Sequence, residues 1–149
     1  KFIKKNKYKI NLKHNRTNIG NTAIFVSKKK KKKKGYKKDF VILDSAMNDL
    51  MRPALYNAEH KIIPIKKNKI NSKKTYEFVG PICESTDKFS TVRNFQKLNE
   101  KELIAICDVG AYGTSLSSNY NVRPKPQEIM IKNSKIIIIS KRQKLSELM

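Results

Sequence analysis

Thr75-Tyr76-Glu77-Phe78-Val79-Gly80-Pro81-Ile82-Cys83-Glu84-Ser85 is the stretch that decides how this chain is built. Its first five residues alternate in the manner of a half-buried strand, and Gly80-Pro81 stops it. A thiol and a carboxylate follow in the loop beyond. Loops at strand ends are where sites are usually built, so the same eleven residues hold a piece of scaffold and a piece of chemistry.

Strand signals dominate on either side. Phe40-Val41-Ile42-Leu43 is a buried-strand run, residues 61–65 are a second, ended by Lys66-Lys67-Asn68, and Leu103-Ile104-Ala105-Ile106-Cys107 is another. Residues 128–131 and 135–140, joined by Lys132-Asn133-Ser134, read as a hairpin. Helical pattern is sparse: a turn or two over residues 47–56, interrupted by Pro53, and the C-terminal residues 141–149. Short strands joined by turn residues predict a mainly β fold, a barrel or sandwich with a few short helices.

The chain has 149 residues and a formal net charge of +22. The charge is lopsided. Residues 1–38 hold 15 Lys and Arg16 with no acid, whereas residues 39–149 hold 18 basic and 12 acidic side chains. Residues 28–34 are seven consecutive lysines. Three parts follow: residues 1–26, basic and polar; residues 27–38, a lysine tract expected to be an exposed loop because dense like charge opposes compact structure; and residues 39–149, a folded unit. Lys outnumbers Arg 29 to 5, and Lys, Asn and Ile make up 61 residues. All three have codons rich in A and T, and readers of nucleic acid favour Arg, whose fork matches phosphate and guanine edges. No aromatic-rich RNA-binding signature accompanies the lysines. The excess is therefore read as composition, and no nucleic-acid partner is expected.

The longest clean apolar run, residues 136–139, is far short of the ~20 residues a membrane span needs, so no membrane partner is expected. No secretory signal is visible, and two Cys without Cys-x-x-Cys spacing indicate neither a disulfide scaffold nor a zinc site. A reducing, cytoplasmic setting is the default.

Four segments look unlike scaffold. In Met47-Asn48-Asp49-Leu50-Met51-Arg52-Pro53-Ala54-Leu55-Tyr56, a helical turn sets Arg52 and Tyr56 on one face, and a guanidinium beside a phenol makes a carboxylate clamp. The Cys83-Glu84 loop offers a proton donor or nucleophile and a group to grip an amine. Gly110-Ala111-Tyr112-Gly113 allows tight turns and close backbone approach to a ligand, with one aromatic presented between glycines. Lys13-His14-Asn15-Arg16 is weak on its own. Each has a plainer reading: a surface Arg beside a half-buried Tyr, a small buried Cys, an ordinary glycine turn, an exposed His.

In this order and spacing the segments carry more. Met47-Asn48-Asp49-Leu50, Arg52-Pro53-Ala54-Leu55-Tyr56, Gly80-Pro81-Ile82-Cys83-Glu84-Ser85, Gly110-Ala111-Tyr112-Gly113 and Ser117-Ser118-Asn119-Tyr120-Asn121-Val122-Arg123-Pro124 resemble the C-terminal part of the diaminopimelate decarboxylases. These are fold-type III pyridoxal-phosphate enzymes that join an alanine-racemase-like barrel to a β-domain. The resemblance covers about residues 12–149, most specifically 39–130. It implies a β-domain whose TIM-like barrel is largely missing, residues 1–26 being a remnant of the junction. It also implies decarboxylation of meso-diaminopimelate to lysine, with pyridoxal 5′-phosphate as electron sink. Arg52 and Tyr56 would hold the distal carboxylate of the substrate and Glu84 its distal amine. Cys83 would be the proton donor, reaching with Glu84 into the partner subunit's site in a homodimer. Tyr112 would contact cofactor and substrate, and Arg16 a carboxylate or the cofactor.

Two departures from the family pattern stand out. The family has Glu-Pro-Gly-Arg where this chain has Lys13-His14-Asn15-Arg16. Lys13 would repel a protonated pyridine ring, and Asn15 hinders the backbone's approach to a phosphate. The Schiff-base lysine of the family lies in the missing barrel, so this chain alone is expected to be inactive. The readings in competition are an enzyme part that needs its barrel, an inactive remnant, and a basic nucleic-acid-binding module.

Overall fold

The structure is a computed structural model, and it describes Arg16 and residues 18–67 and 74–149. Lys13, His14 and Asn15, and the Asn68 expected to end a strand, lie outside the described residues. Among the described residues there are eight strands and one short α-helix. They run β1 (Phe25–Lys33), β2 (Asp39–Leu43), α1 (Arg52–Tyr56), β3 (Ile62–Pro64), β4 (Lys74–Val79), β5 (Lys88–Phe95), β6 (Leu103–Ile106), β7 (Glu128–Lys132) and β8 (Lys135–Ser140). The first six strands form one nearly barrel-shaped sheet in the order β3-β6-β1-β2-β4-β5. All its pairings are antiparallel except that of β2 with β4. The fold is mainly β, as the strand signals indicated.

Alternation explains the core. Val41 and Leu43 of β2 and Tyr76 and Phe78 of β4 point inward and are fully buried. They join Ile62 of β3, Phe89 and Phe95 of β5, Ile104 and Ile106 of β6, and Leu50 and Leu98 in one cluster. Residues from both edge strands, β3 and β5, thus meet in a single core, which requires the sheet to curl on itself. Phe78 and Phe95 pack edge to face with centroids 5.1 Å apart, and Tyr76 stands edge-on to Phe95 at 6.4 Å.

The lysine tract corrects the sequence reading. Residues 27–33, expected in an exposed loop, belong to β1, which lies inside the sheet between β2 and β6. The division at residue 26 therefore falls within a strand. Like charges are tolerated because alternation sends them to different surroundings. Lys30, Lys31 and Lys33 are exposed, while Lys32 pairs with Asp39 at 3.0 Å and lies 5.9 Å from the Tyr76 ring. Lys29 is only 4% exposed, and its ammonium donates to the carbonyl oxygen of Leu98 at 2.8 Å. Burial pushes the Lys29 pKa down. Ser27, also buried, donates to Asp44 Oδ1 at 2.8 Å and lies 2.6 Å from the Ser45 hydroxyl.

Three further differences have simple causes. Pro53 does not interrupt a helix; it is the second residue of α1, where a missing N–H costs nothing, and Ala46 to Leu50 form a turn before it. Strand β5 was not foreseen, because its polar residues face solvent and leave only Phe89, Val92 and Phe95 as apolar marks. Residues 141–149 contain only a 3-10 turn, Leu145–Glu147. The expected hairpin is present as β7 and β8, and its two-residue loop has Asn133 and Ser134 both at positive φ, 49° and 61°.

Candidate active site

Topology gathers three of the four segments, and Arg16 of the fourth, at one end of the sheet. Strands β2, β4 and β6 run in one direction, since β2 and β4 are parallel and β1 is antiparallel to both β2 and β6. Their C-terminal ends therefore share an edge with the start of β1: Ile42 lies beside Val79, and Phe25 beside Ile106. From that edge emerge the turn and helix after β2, the Cys83-Glu84 loop after β4, the Gly110–Gly113 loop after β6, and the Arg16 turn before β1. The parallel β2–β4 pair needs a long crossover, and that crossover carries α1.

Two contacts hold the Cys83-Glu84 loop. Asp87, buried just before β5, accepts from the backbone N–H of Ile82 at 2.8 Å and of Met47 at 2.7 Å. One carboxylate thus ties the loop to the segment that leads into α1. The Gly80 N–H also donates to the Asp87 carbonyl at 3.0 Å. A Cβ at Gly80 would lie 2.2 Å from Asp87 Oδ2, so glycine is required there. Burial pushes the Asp87 carboxyl up, against the two N–H donors that pull it down. Cys83 is a free, exposed thiol and Glu84 is exposed beside it. The Tyr120 hydroxyl donates to Glu84 Oε1 at 2.5 Å.

A second polar hub is Asn48, which is fully buried. Its carbonyl accepts from the Ser118 N–H at 2.9 Å, and its side-chain amide donates to the Ser118 carbonyl at 3.1 Å. Arg123 Nε donates to Asn48 Oδ1 at 3.0 Å, and Arg123 Nη2 donates to the Asp44 carbonyl at 2.6 Å and stands 3.7 Å from Asp49 Oδ2. The segment around residues 117–124 is thereby fastened to the segment before α1. Burial pushes the Asp49 carboxyl up, while the Ala46 N–H and Arg123 hold it partly back.

Arg52 and Tyr56 lie four apart on α1, as the spacing indicated, but their surroundings differ: Arg52 is 8% exposed and Tyr56 62%. Helix α1 and the Cys83 loop border one open groove, to which Pro53, Ala54, Asn57, Ser85 and Thr86 contribute. Tyr112 is 54% exposed and has a positive φ of 62° between tight glycine neighbours. The Arg16 turn lies against its loop, because the Gly110 N–H donates to the Gly20 carbonyl at 3.0 Å and the Gly20 N–H to the Arg16 carbonyl at 2.8 Å. The described hydrogen bonds thus tie the Arg16 turn to the loop that carries Tyr112, and Glu84 to Tyr120; none among the described residues joins the first pair of segments to the second. No cluster of His, Cys, Asp and Glu suited to a metal ion occurs among the described residues, and none of their helices is long and apolar enough to cross a membrane.

Sequence reasoning does not single out Asp87, and Asn48, Tyr120 and Arg123 stand out in it only as parts of motifs. The available signal for Asp87 was its position just before a strand and seven residues after Gly80, where a short acid caps a returning loop.

Residues 18–110 match the family described as pyridoxal-dependent decarboxylase, C-terminal sheet domain. The chain belongs to that family. Among relatives of this decarboxylase domain, a diaminopimelate decarboxylase from Aquifex aeolicus is 39% identical over 137 residues, covering 92% of this chain and 32% of the relative. A crystal structure from Aquifex aeolicus superposes with a TM-score of 0.85 at 36% identity, over 89% of this chain and 33% of that one. The diaminopimelate decarboxylase from Helicobacter pylori complexed with L-lysine superposes with a TM-score of 0.78 at 38% identity, over 89% of this chain and 32% of that one. The chain thus spans about a third of the length of the relatives it matches.

Proposed function

We propose that this domain completes a diaminopimelate decarboxylase active site, acting in the cytoplasm with a barrel domain to convert meso-diaminopimelate into L-lysine and CO2. The observation that carries the reading is the Cys83-Glu84 pair, exposed at the end of β4 and held by Asp87, in a domain similar to an enzyme crystallised with L-lysine.

Two of the described residues fit a pyridoxal phosphate, whereas Lys13 and Asn15 are the departures from the family pattern. Tyr112 and Arg16 are exposed donors on two turns that lie against each other, and a phenol and a guanidinium suit an anionic cofactor. The chemistry supplied by that cofactor is an electron sink for the pair left behind by CO2. The rest falls to side chains. Arg52 and Tyr56 bind the distal carboxylate, and Glu84 binds the distal amine, so a substrate with two zwitterionic ends is told from lysine itself. Cys83 delivers a proton from Sγ to the α-carbon that has lost its carboxylate. Cys83 and Glu84 serve the site of a second subunit, in a homodimer.

The test is to produce the chain together with a pyridoxal-phosphate-binding barrel and assay lysine formation. Cys83→Ala should lower kcat by ~100-fold or more with KM little changed, the range expected for loss of a general acid. A kcat within threefold of the parent would remove Cys83 from the mechanism. Lys13 favours a second reading, an inactive remnant; a folded assembly that binds cofactor yet forms no lysine would establish it.

A further inference from the structure

We infer that Tyr120 is a positioning residue for Glu84, fixing the carboxylate that selects the distal amine of the substrate; this rests on the reading of Glu84 just proposed. Glu84 sits on an exposed loop, where its side chain would otherwise sample several rotamers. The Tyr120 hydroxyl reaches it from 36 residues away and donates to Oε1. Among the described residues Oε2 accepts no hydrogen bond and remains available to an amine.

Tyr120 can serve as a strut because its own backbone is pinned. The Tyr120 N–H points to Ser118 Oγ at 3.4 Å, and Ser118 is bonded through both its N–H and its carbonyl to Asn48. The neighbouring Asn119 amide donates to the Arg123 carbonyl at 2.8 Å and to Gln143 Oε1 at 2.6 Å. These fixed points lie on the same scaffold as the Asp87 anchor of the Glu84 loop, since Asn48 follows Met47 directly. Donating to the Glu84 carboxylate pushes the Tyr120 phenol further above its ordinary value, so it stays a donor across the neutral range. A carboxylate held at one oxygen loses less freedom when it receives an ammonium at the other, so Tyr120 contributes to binding without touching the substrate.

The experiment uses the assembled enzyme with its barrel and compares Tyr120→Phe, Glu84→Gln and the double variant. The substrates are meso-diaminopimelate and an analogue that lacks the distal amine. Tyr120→Phe removes one exposed hydroxyl. Its KM for meso-diaminopimelate should rise ~10-fold with kcat within about twofold, as expected for one hydrogen bond to a charged group. Its kinetics on the analogue should be unchanged, and it should add nothing in the Glu84→Gln background. If Glu84→Gln raises KM and Tyr120→Phe does not, the positioning role is wrong while the reading of Glu84 stands. If Tyr120→Phe slows both substrates alike, Tyr120 is merely structural and the inference also fails. If Glu84→Gln leaves KM unchanged, the reading of Glu84 fails and takes the inference with it.

Discussion

Glu77 shows how a single residue is made compatible with a strand that is buried on both faces. It lies between Tyr76 and Phe78, is 5% exposed, and pairs with Lys88 at 2.8 Å and with Lys38. Burial alone would push its carboxyl up. The hydrogen bonds and charges of the two lysines outweigh burial and hold it below its ordinary 4.5. A carboxyl with a lowered pKa in the folded state contributes stability above its unfolded value, and that contribution is lost as pH falls through the folded value. Glu77→Gln should therefore be less stable than the parent at neutral pH, and the gap should narrow as pH falls below about 4.5. Melting curves collected from pH 7 to pH 3 check this. Asp49 and Asp87, raised by burial, act in the opposite sense, so they do not produce the same narrowing.

Among the elements, the loop from Gly80 to Asp87 is the most tightly specified. Its strand, its Gly-Pro stop and its exposed Cys83 and Glu84 were legible in the sequence because each is a local signal. Its anchor was not, because Asp87 works through Met47, forty residues away, and no local pattern announces a bond of that span. The same holds for Asn48 and Arg123, whose side chains meet 75 residues apart. Strand β1 failed for another reason: seven identical residues have no visible alternation, although the six of them that lie in the strand differ in burial on either side of an irregularity between Lys29 and Lys31. The loop yields a direct test. In Gly80→Ala the new methyl would meet the Asp87 carboxylate at 2.2–2.5 Å, so the loop must shift. Stability should fall by ~1–3 kcal/mol, as for an overpacked core, measured by urea unfolding. A loss below ~0.5 kcal/mol would show that the Asp87 contacts are looser than described.

At the scale of the whole molecule, the sheet acts as a collecting device. Three strands that run the same way deliver their C-terminal loops to one edge, and α1 is carried there by the crossover the parallel pair requires. The number and type of most strands could be read from runs such as Phe40-Val41-Ile42-Leu43. Their order could not, since β6 lies between β3 and β1 through pairings that sequence proximity does not suggest.

The lysine strand has a consequence for how this gene product tolerates change in length. In a strand with a mixed sequence, one inserted residue flips every side chain beyond it to the other face. In β1 an added lysine has no address. The strand is anchored from its start by Phe25, Ser27 and Lys29, each with its own partner, and every residue from there to Lys34 is the same. The pairings with β2 would refill with identical side chains, and the surplus residue would pass into the connection at residues 34–38. Lengthening that connection by one residue costs a few tenths of a kcal/mol in loop entropy. A variant with eight consecutive lysines should therefore unfold within ~0.5 kcal/mol of the parent, whereas one residue inserted at Ala105 in β6 should cost several kcal/mol, because it turns Ile106 out of the core. Denaturation of the two variants side by side would show whether a run of one residue type, which carries no information about register, is for that reason the place where this sheet absorbs insertions.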